Sequence, residues 1–295
     1  MKKEIIISKA LDGVELTGIL FSQAEKQKKI VISVHGMATN CIKIREIEIA
    51  KKVTEMGMDF YTFNNRGHDL VNYIQKEKEK RELGGTAYEE ISECYEDIVG
   101  TMKNLIDKGY EEFYLLGHSL GSTKLVYTYQ QLQERKENQY LANIKGIMLL
   151  SLIDIPMAVS IYLGENYPAM LTYAKNQDKE NNGMILMPEQ AFIHPISVKT
   201  FLRYTRDKKD IDFAQYSNEL YSFDELNAIK TPLFMRWGTV RELIAQKPDQ
   251  LVDQLTHKIR NPKLDINFIE GADHSYTGKE KELASQIEHF LRKQQ

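Results

Sequence analysis

The pentapeptide Gly117-His118-Ser119-Leu120-Gly121 holds the residues with the clearest chemical potential in the sequence. The apolar run 113–116 before it is typical of a buried strand, and the segment from Ser122 onward is typical of a helix. A serine in a sharp turn between a strand and a helix adopts a strained backbone, and glycine neighbours leave room for it. The pattern predicts that Ser119 is a nucleophile.

A serine hydroxyl attacks only when a base takes its proton. His274 suits that role because it follows the apolar run 264–269, where a loop can return the imidazole to Ser119. Other histidines fit less well. His118 lies inside the pentapeptide and is expected to point away from a pocket, and His194 lies in an inserted segment. His257 and His289 lie on predicted helices.

A carboxylate between Ser119 and His274 in the chain is expected to fix the imidazole tautomer and stabilise the imidazolium. Arg241 occupies the position after the strand 233–237 where an aspartate is expected, and Glu242 is the nearest carboxylate. We therefore predict Glu242 as the acid. Two alternatives stay open, the first at the end of the preceding strand and the second farther along the chain: Asp154 and Asp249.

Two backbone N–H groups are expected to stabilise the oxyanion of a tetrahedral intermediate. Leu120 follows the nucleophile and should supply one of them. Met37 should supply the other, because His35-Gly36-Met37 directly follows the apolar run 30–34. His35 itself is expected to form structural hydrogen bonds rather than to act as a base.

The elements that must position these residues follow from the hydrophobic pattern. Residues 4–9 and 14–21 alternate around Asp12-Gly13, which predicts two antiparallel strands joined by a tight turn. Short apolar runs then alternate with amphipathic segments, which predicts an α/β fold with a mostly parallel sheet covered on both faces. The predicted strands are 30–34, 60–63, 113–116, 147–152, 233–237 and 264–269. The predicted helices are 43–56, 88–108, 120–136, 248–259 and 278–292.

Two segments interrupt this alternation. Residues 76–82 carry a charge run that predicts a solvated helix or loop. Residues 155–230 contain too many Met, Phe and Tyr side chains for a linker, which predicts a helical cap. The expected organisation is thus a core domain of residues 1–154 and 231–295, with the cap inserted at 155–230.

Composition excludes several classes of function. The formal net charge of −3 gives no broad field for nucleic acid or anionic lipid. Cys41 and Cys94 show no metal-ligand spacing, and we expect neither a metal nor a cofactor. The apolar stretch 146–163 contains Asp154 and Pro156, which a membrane helix would bury at high cost. We expect a cytoplasmic monomer or homodimer that acts on a small molecule.

Across nearly its whole length the sequence resembles the α/β-hydrolase superfamily. The landmarks, in order, are His35-Gly36, Asn65-Arg66-Gly67-His68, the turn around Ser119, and Gly271-Ala272-Asp273-His274. The resemblance implies structural roles for Arg66 and His68. Segments 63–69, 85–89 and 236–238 are also similar to a subgroup that includes fungal siderophore-ester hydrolases, which implies ester hydrolysis without fixing the substrate.

The leading interpretation is a serine hydrolase that cleaves an ester or thioester of a small, partly hydrophobic substrate through an acyl-enzyme. Acyl transfer and amide cleavage use the same residues and remain alternatives. A binding protein that retains the fold is a second class, which the presence of both Ser119 and His274 disfavours. Dehalogenation would need an aspartate in place of Ser119.

Overall fold

The computed structural model describes residues 1–23, 27–76, 80–205, 211–244 and 246–295. The strands in these ranges are β1 Lys2–Lys9, β2 Glu15–Ser22, β3 Lys29–Val34, β4 Asp59–Phe63, β5 Asn72–Lys76, β6 Lys80–Gly84, β7 Glu112–His118, β8 Ile144–Leu150, β9 Leu233–Gly238 and β10 Leu264–Ile269. The helices there are α1 Ile44–Glu55, α2 Cys94–Asp107, α3 Leu120–Glu134, α4 Asn138–Asn143, α5 Ile155–Leu163, α6 Tyr167–Lys179, α7 Val198–Thr205, α8 Asp224–Ala228, α9 Pro248–Lys258 and α10 Glu280–Arg292.

Eight of the described strands form one sheet in the order β1-β2-β4-β3-β7-β8-β9-β10. The β1–β2 and β2–β4 pairs are antiparallel, and the remaining neighbours, from β4 to β10, are parallel. Residues 3 and 21 are paired in the opening hairpin, as the Asp12-Gly13 turn predicts. The predicted mostly parallel α/β sheet is confirmed.

Both faces of the sheet are buried, which explains why its strands are continuous apolar runs rather than alternating ones. Alternate residues of β7 show the two environments. Phe113 and Leu115 pack in the apolar cluster that includes α2, α3 and α9. Tyr114 and Leu116 pack on the opposite face with α1 and α10.

The charge run at 76–82 forms part of a hairpin, not a helix. β5 and β6 pair antiparallel from Asn72 opposite Gly84 to Lys76 opposite Lys80. Lys76 also forms ion pairs with Asp12 and Glu82, so opposite charges across the hairpin support strands in a segment with little apolar content. Residues 77–79 of the run lie outside the described residues.

The interval between β8 and β9 contains helices α5, α6, α7 and α8. A third apolar cluster joins residues of α5, α6 and α7 and extends to Ile211. By contrast, Phe213, Tyr216 and Phe223 pack in the main core beside α3 and α9. On this packing we propose that the cap ends near Ile211 rather than at residue 230; residues 206–210 lie outside the described residues.

Candidate active site

Ser119 occupies the turn between β7 and α3 with φ 54° and ψ −123°, a conformation that costs free energy in any residue but glycine. The two glycines of the pentapeptide permit this turn. A Cβ on Gly121 would lie 2.1 Å from the Val34 carbonyl oxygen, and one on Gly117 would lie 2.6 Å from the Gly121 carbonyl oxygen. Tight packing of α3 against β3 and β7 therefore holds Ser119 in its strained position.

His274 lies in the loop between β10 and α10, and its Nε2 is 3.0 Å from Ser119 Oγ. The preceding Asp273 shapes that loop, because its Oδ1 accepts hydrogen bonds from the N–H groups of Ser275 and Thr277. The imidazole side chain is 24% exposed, so it borders an accessible space while it contacts the serine.

Glu242 is the third side chain of this group, and its Oε2 lies 2.8 Å from His274 Nδ1. Its other oxygen accepts hydrogen bonds from Ser151 Oγ at 2.6 Å and from the Gly238 N–H at 2.9 Å, and its side chain is 3% exposed. Arg241 has φ 54°, so the chain turns there and directs Glu242 back toward the sheet. The structure therefore brings together all three predicted side chains.

Asp154, the alternative acid, has a different position. It is the N-cap of α5, where Oδ1 accepts a hydrogen bond from the Met157 N–H at 3.1 Å. Burial raises the pKa of Asp154 to about 6. The described contact of His274 Nδ1 is with Glu242, and Asp249, the third candidate, lies in the first turn of α9.

Leu120 directly follows Ser119 in the chain, and Met37, three residues beyond β3, lines the same cavity as Ser119. Leu120 is the first residue of α3, and N–H groups in the first turn of a helix have no intrahelical acceptor. Among the described residues, neither this N–H nor that of Met37 donates a hydrogen bond within the protein. Unused backbone donors next to the nucleophile are what the predicted oxyanion hole requires.

Three landmark side chains in the loops after β3 and β4 make structural contacts. His35 Nδ1 donates to the Gly36 carbonyl at 2.9 Å, and its Nε2 accepts from the Asn65 N–H. Burial and the nearby charge of Lys124 lower the pKa of His35 to about 3, which keeps the ring neutral. Arg66 is buried and forms ion pairs with Asp97 at 2.8 Å and with Asp12 at 3.0 Å. His68 is paired with Asp69 at 2.9 Å.

The expectation that His118 points away from the pocket is wrong. Its Nε2 donates to the His274 backbone carbonyl at 2.7 Å, and its ring lines the same cavity as Ser119. Side chains alternate along β7, so His118 shares the face of Tyr114 and Leu116, and the His274 loop returns on that face. Burial, together with the charge of Arg45, lowers the pKa of His118 well below its ordinary 6.5.

Two cavities meet at Ser119, Met37 and His274. One, of about 190 Å³, lies beneath α5 and is lined mainly by apolar groups: Ile153, Ile155, Ala158, Val159, Phe192 and Leu243. His194 and Tyr162 add polar atoms to it. The other, of about 330 Å³, lies between the beginnings of α1 and α10, and its lining includes more residues with polar side chains: Thr39, Lys43, Arg45, Ser275, Thr277 and Glu280. A substrate that reaches Ser119 thus meets an apolar side and a polar side.

Three contacting residues were missed from the sequence: Ser151 against Glu242, Arg45 in the polar cavity, and Thr86 against the loop that carries Met37. Ser151 had a usable positional signal, since it directly follows β8 at the edge of the sheet where the other site residues lie, and Thr86 lies in the segment 85–89 that carries part of the family resemblance. Within the described residues, no group of three or more His, Cys, Asp or Glu side chains could hold a metal ion. None of the described helices is both long and apolar enough to cross a bilayer.

Known proteins share this architecture. The sequence profile of the family described as serine aminopeptidase, S33, matches residues 25–151. A comparison with curated proteins gave no significant match.

Solved structures match over almost the whole chain. Siderophore hydrolase EstB from Aspergillus fumigatus has a TM-score of 0.70 at 11% identity, with 99% of this chain and 98% of that chain covered. Est1E from Butyrivibrio proteoclasticus with bound ferulic acid has a TM-score of 0.63 at 14% identity, covering 98% and 99%. A soluble variant of monoglyceride lipase from Saccharomyces cerevisiae, in complex with a substrate analogue, has a TM-score of 0.63 at 13% identity, covering 100% and 98%.

These likenesses establish the fold, and the profile match contains the strand, turn and helix around Ser119. We conclude that the chain has the α/β-hydrolase fold.

Proposed function

We propose that this protein is a serine hydrolase that cleaves a carboxylic ester of a small, partly apolar substrate through an acyl-enzyme. The observation that carries the proposal is the position of His274, whose two ring nitrogens contact Ser119 Oγ and Glu242 Oε2 at 3.0 and 2.8 Å. A base held between a nucleophile and a buried carboxylate is suited to move a proton without leaving its place.

In the first half-reaction, His274 Nε2 takes the hydroxyl proton as Ser119 Oγ bonds to the acyl carbon. The carbonyl oxygen becomes negatively charged and accepts hydrogen bonds from the Met37 and Leu120 N–H groups, each worth about 10²–10³ in kcat in comparable sites. The imidazolium, stabilised by Glu242, gives the same proton to the leaving alcohol oxygen as the C–O bond breaks. Water then attacks the acyl-enzyme with the same proton transfers, which releases the acid.

The cavities support a substrate with two unlike sides. The apolar cavity of about 190 Å³ is smaller than the roughly 300–1,000 Å³ of pockets that bury drug-sized ligands, which favours a short acyl or single-ring group. The polar cavity favours an alcohol part that forms hydrogen bonds. Fold neighbours named as a siderophore hydrolase and a monoglyceride lipase support hydrolysis but not a common substrate.

Labelling of the serine tests the proposal. A fluorophosphonate probe followed by peptide mapping should place the adduct on Ser119, and S119A should remain unlabelled. p-Nitrophenyl acetate and butyrate should be hydrolysed faster than the octanoate because of the small apolar cavity. Well-folded protein without an adduct at Ser119 would overturn the proposal and favour a binding protein.

Amide cleavage is the second candidate, because the matching family is described as a serine aminopeptidase. Alanine and leucine p-nitroanilides distinguish the two functions. We expect ester turnover to exceed anilide turnover, and faster release of p-nitroaniline than of p-nitrophenol would reverse the order of the two candidates.

A further inference from the structure

The loop 36–39, which we call the oxyanion loop, has a backbone that needs support from outside. Ala38 has φ 50°, in the left-handed region that costs free energy in a residue with a Cβ. His35 holds the preceding peptide, since its Nδ1 donates to the Gly36 carbonyl. In a trans peptide the C=O and the following N–H point in opposite directions, so this bond directs the Met37 N–H away from His35.

Thr86 holds the next peptide. Its Oγ1 accepts a hydrogen bond from the Ala38 N–H at 2.7 Å and donates one to the Gly67 carbonyl at 3.1 Å. The residue is fully buried, so water cannot replace either bond at low cost. The peptides on both sides of Met37 are therefore each fixed by one side chain, that of His35 directly before the loop and that of Thr86 from a distant segment.

Residues 86–90, which we call the strut, are themselves fixed on two sides. The Ala87 carbonyl accepts hydrogen bonds from the Ser197 N–H at 2.7 Å and from Thr200 Oγ1 at 3.1 Å, both at the start of α7. The Glu89 carboxylate forms a buried ion pair with Lys124 of α3, the helix that directly follows Ser119. The strut thus connects the cap, the helix that follows the nucleophile and the oxyanion loop.

The Lys124–Glu89 pair lies under this connection with almost no exposure to solvent. Lys124 Nζ also donates to Asn65 Oδ1 at 3.0 Å. Burying two charges is costly, and an apolar pair of similar volume often stabilises a fold equally well. The contribution of the Lys124–Glu89 pair is therefore to position: it fixes the strut, and with it Thr86, relative to Ser119.

We propose that Thr86 is a positioning residue for the reaction: its hydroxyl holds the Met37–Ala38 peptide and so keeps the oxyanion loop in the conformation in which the Met37 N–H, directed by the His35 bond, faces the oxyanion. The proposal rests on the hydrolase function proposed above. Thr86 touches no substrate and acts through the loop. Its removal should therefore weaken stabilisation of the transition state while ground-state binding stays nearly constant.

The test compares Thr86→Val, which keeps the shape but loses both hydrogen bonds, with Thr86→Ser, which keeps the hydroxyl. With p-nitrophenyl acetate, T86V should lower kcat by about tenfold or more, short of the 10²–10³ lost with a whole oxyanion donor, and T86S should restore most of it. KM should change by less than about twofold. The inhibition constant of butylboronic acid, which forms a tetrahedral adduct with an active serine, should rise by the same factor as kcat/KM falls.

Thr101→Val is the matched control, since Thr101 is a fully buried threonine of α2 whose hydroxyl contacts Ser8 Oγ. It should lower Tm as T86V does but leave kcat unchanged. If T86V does not fold, Thr86→Cys is used in its place, because a thiol is a weak acceptor of similar size. The kcat of T86C should then be lower than that of both the wild type and T86S.

Two results separate this proposal from the function on which it rests. Wild-type turnover with unchanged kcat in T86V or T86C would overturn the role of Thr86 alone. Absence of both turnover and Ser119 labelling in the wild type would overturn the hydrolase function and the role of Thr86 together.

Discussion

Ser151 Oγ donates a 2.6 Å hydrogen bond to Oε1 of Glu242, the carboxylate oxygen that does not face His274. Ser151 directly follows β8 and has φ 47°, and Tyr276 Oη lies 3.0 Å from its hydroxyl. Glu242 is thereby held from the neighbouring strand as well as by the Gly238 N–H. The carboxylate is fixed by β8 and β9 together, although its own loop is irregular.

Ser151→Ala should therefore reduce catalysis without abolishing it. Hydrogen bonds to charged groups contribute about 1.5–3 kcal/mol, and the Gly238 N–H keeps part of the support, so we expect kcat/KM to fall roughly three- to thirtyfold. Steady-state hydrolysis of p-nitrophenyl acetate measures the loss. Ser285→Ala, on the exposed face of α10, should leave it unchanged, and equal activity of S151A and S285A would remove Ser151 from the site.

Glu242→Gln should be far more damaging than Asp154→Asn. The amide cannot stabilise an imidazolium and can favour the wrong tautomer of His274, a change that costs about 10⁴ in kcat in a comparable triad. D154N keeps the N-cap acceptor of α5 and should retain kcat within about twofold. Single-turnover hydrolysis of p-nitrophenyl acetate compares the two. Loss of kcat in D154N with retention in E242Q would make Asp154 the acid instead.

Asp154 should also make stability depend on pH. Its pKa rises from 3.8 to about 6 on folding, so the folded state binds this proton more tightly. The stabilisation is present below the unfolded pKa and is lost as pH rises through the interval from 3.8 to about 6. The loss for this group should approach about 3 kcal/mol at neutral pH.

Urea unfolding of wild type and D154N across that interval measures this effect. The free energy of unfolding of D154N should gain on that of the wild type as pH rises, because asparagine does not titrate. A difference between the two proteins that stays constant with pH would contradict the raised pKa of Asp154.

Much of the sheet could be predicted because buried parallel strands leave continuous apolar runs. The run 264–269 coincides with β10, and the run 233–237 with all but the last residue of β9. Ser119 and His274 were predicted from their places in the turn and the loop that follow such strands. Residues that lie at the carboxyl edge of the sheet could therefore be predicted from the sequence.

Other features depend on backbone conformation that composition does not encode. Arg241 has a positive φ, and this turn, rather than the residue type, brings Glu242 to His274. The contact of His118 with the His274 carbonyl joins residues 156 positions apart. Thr86 likewise reaches Ala38 across 48 positions. No local pattern predicts such pairings.

Size selectivity should follow from Ala158, which lines the apolar cavity on α5 beside Ile155 and Val159. The phenylalanine of Ala158→Phe should fill part of the apolar cavity of about 190 Å³. The variant should therefore accept only shorter acyl chains than the wild type. We expect kcat/KM for p-nitrophenyl acetate to stay within about threefold while that for the butyrate falls by at least about tenfold, since overpacking costs roughly 1–3 kcal/mol.

The control for Ala158→Phe is Ile161→Phe, which adds an aromatic ring to a side chain of the same helix that is 65% exposed. It should leave the ratio of butyrate to acetate hydrolysis unchanged. Both variants should be equally labelled at Ser119 by a small fluorophosphonate, because both keep Ser119, His274 and Glu242 unchanged. Equal loss for acetate and butyrate in A158F would mean that the acyl group does not bind under α5, and the polar cavity beside Arg45 would then be the site of the acyl group.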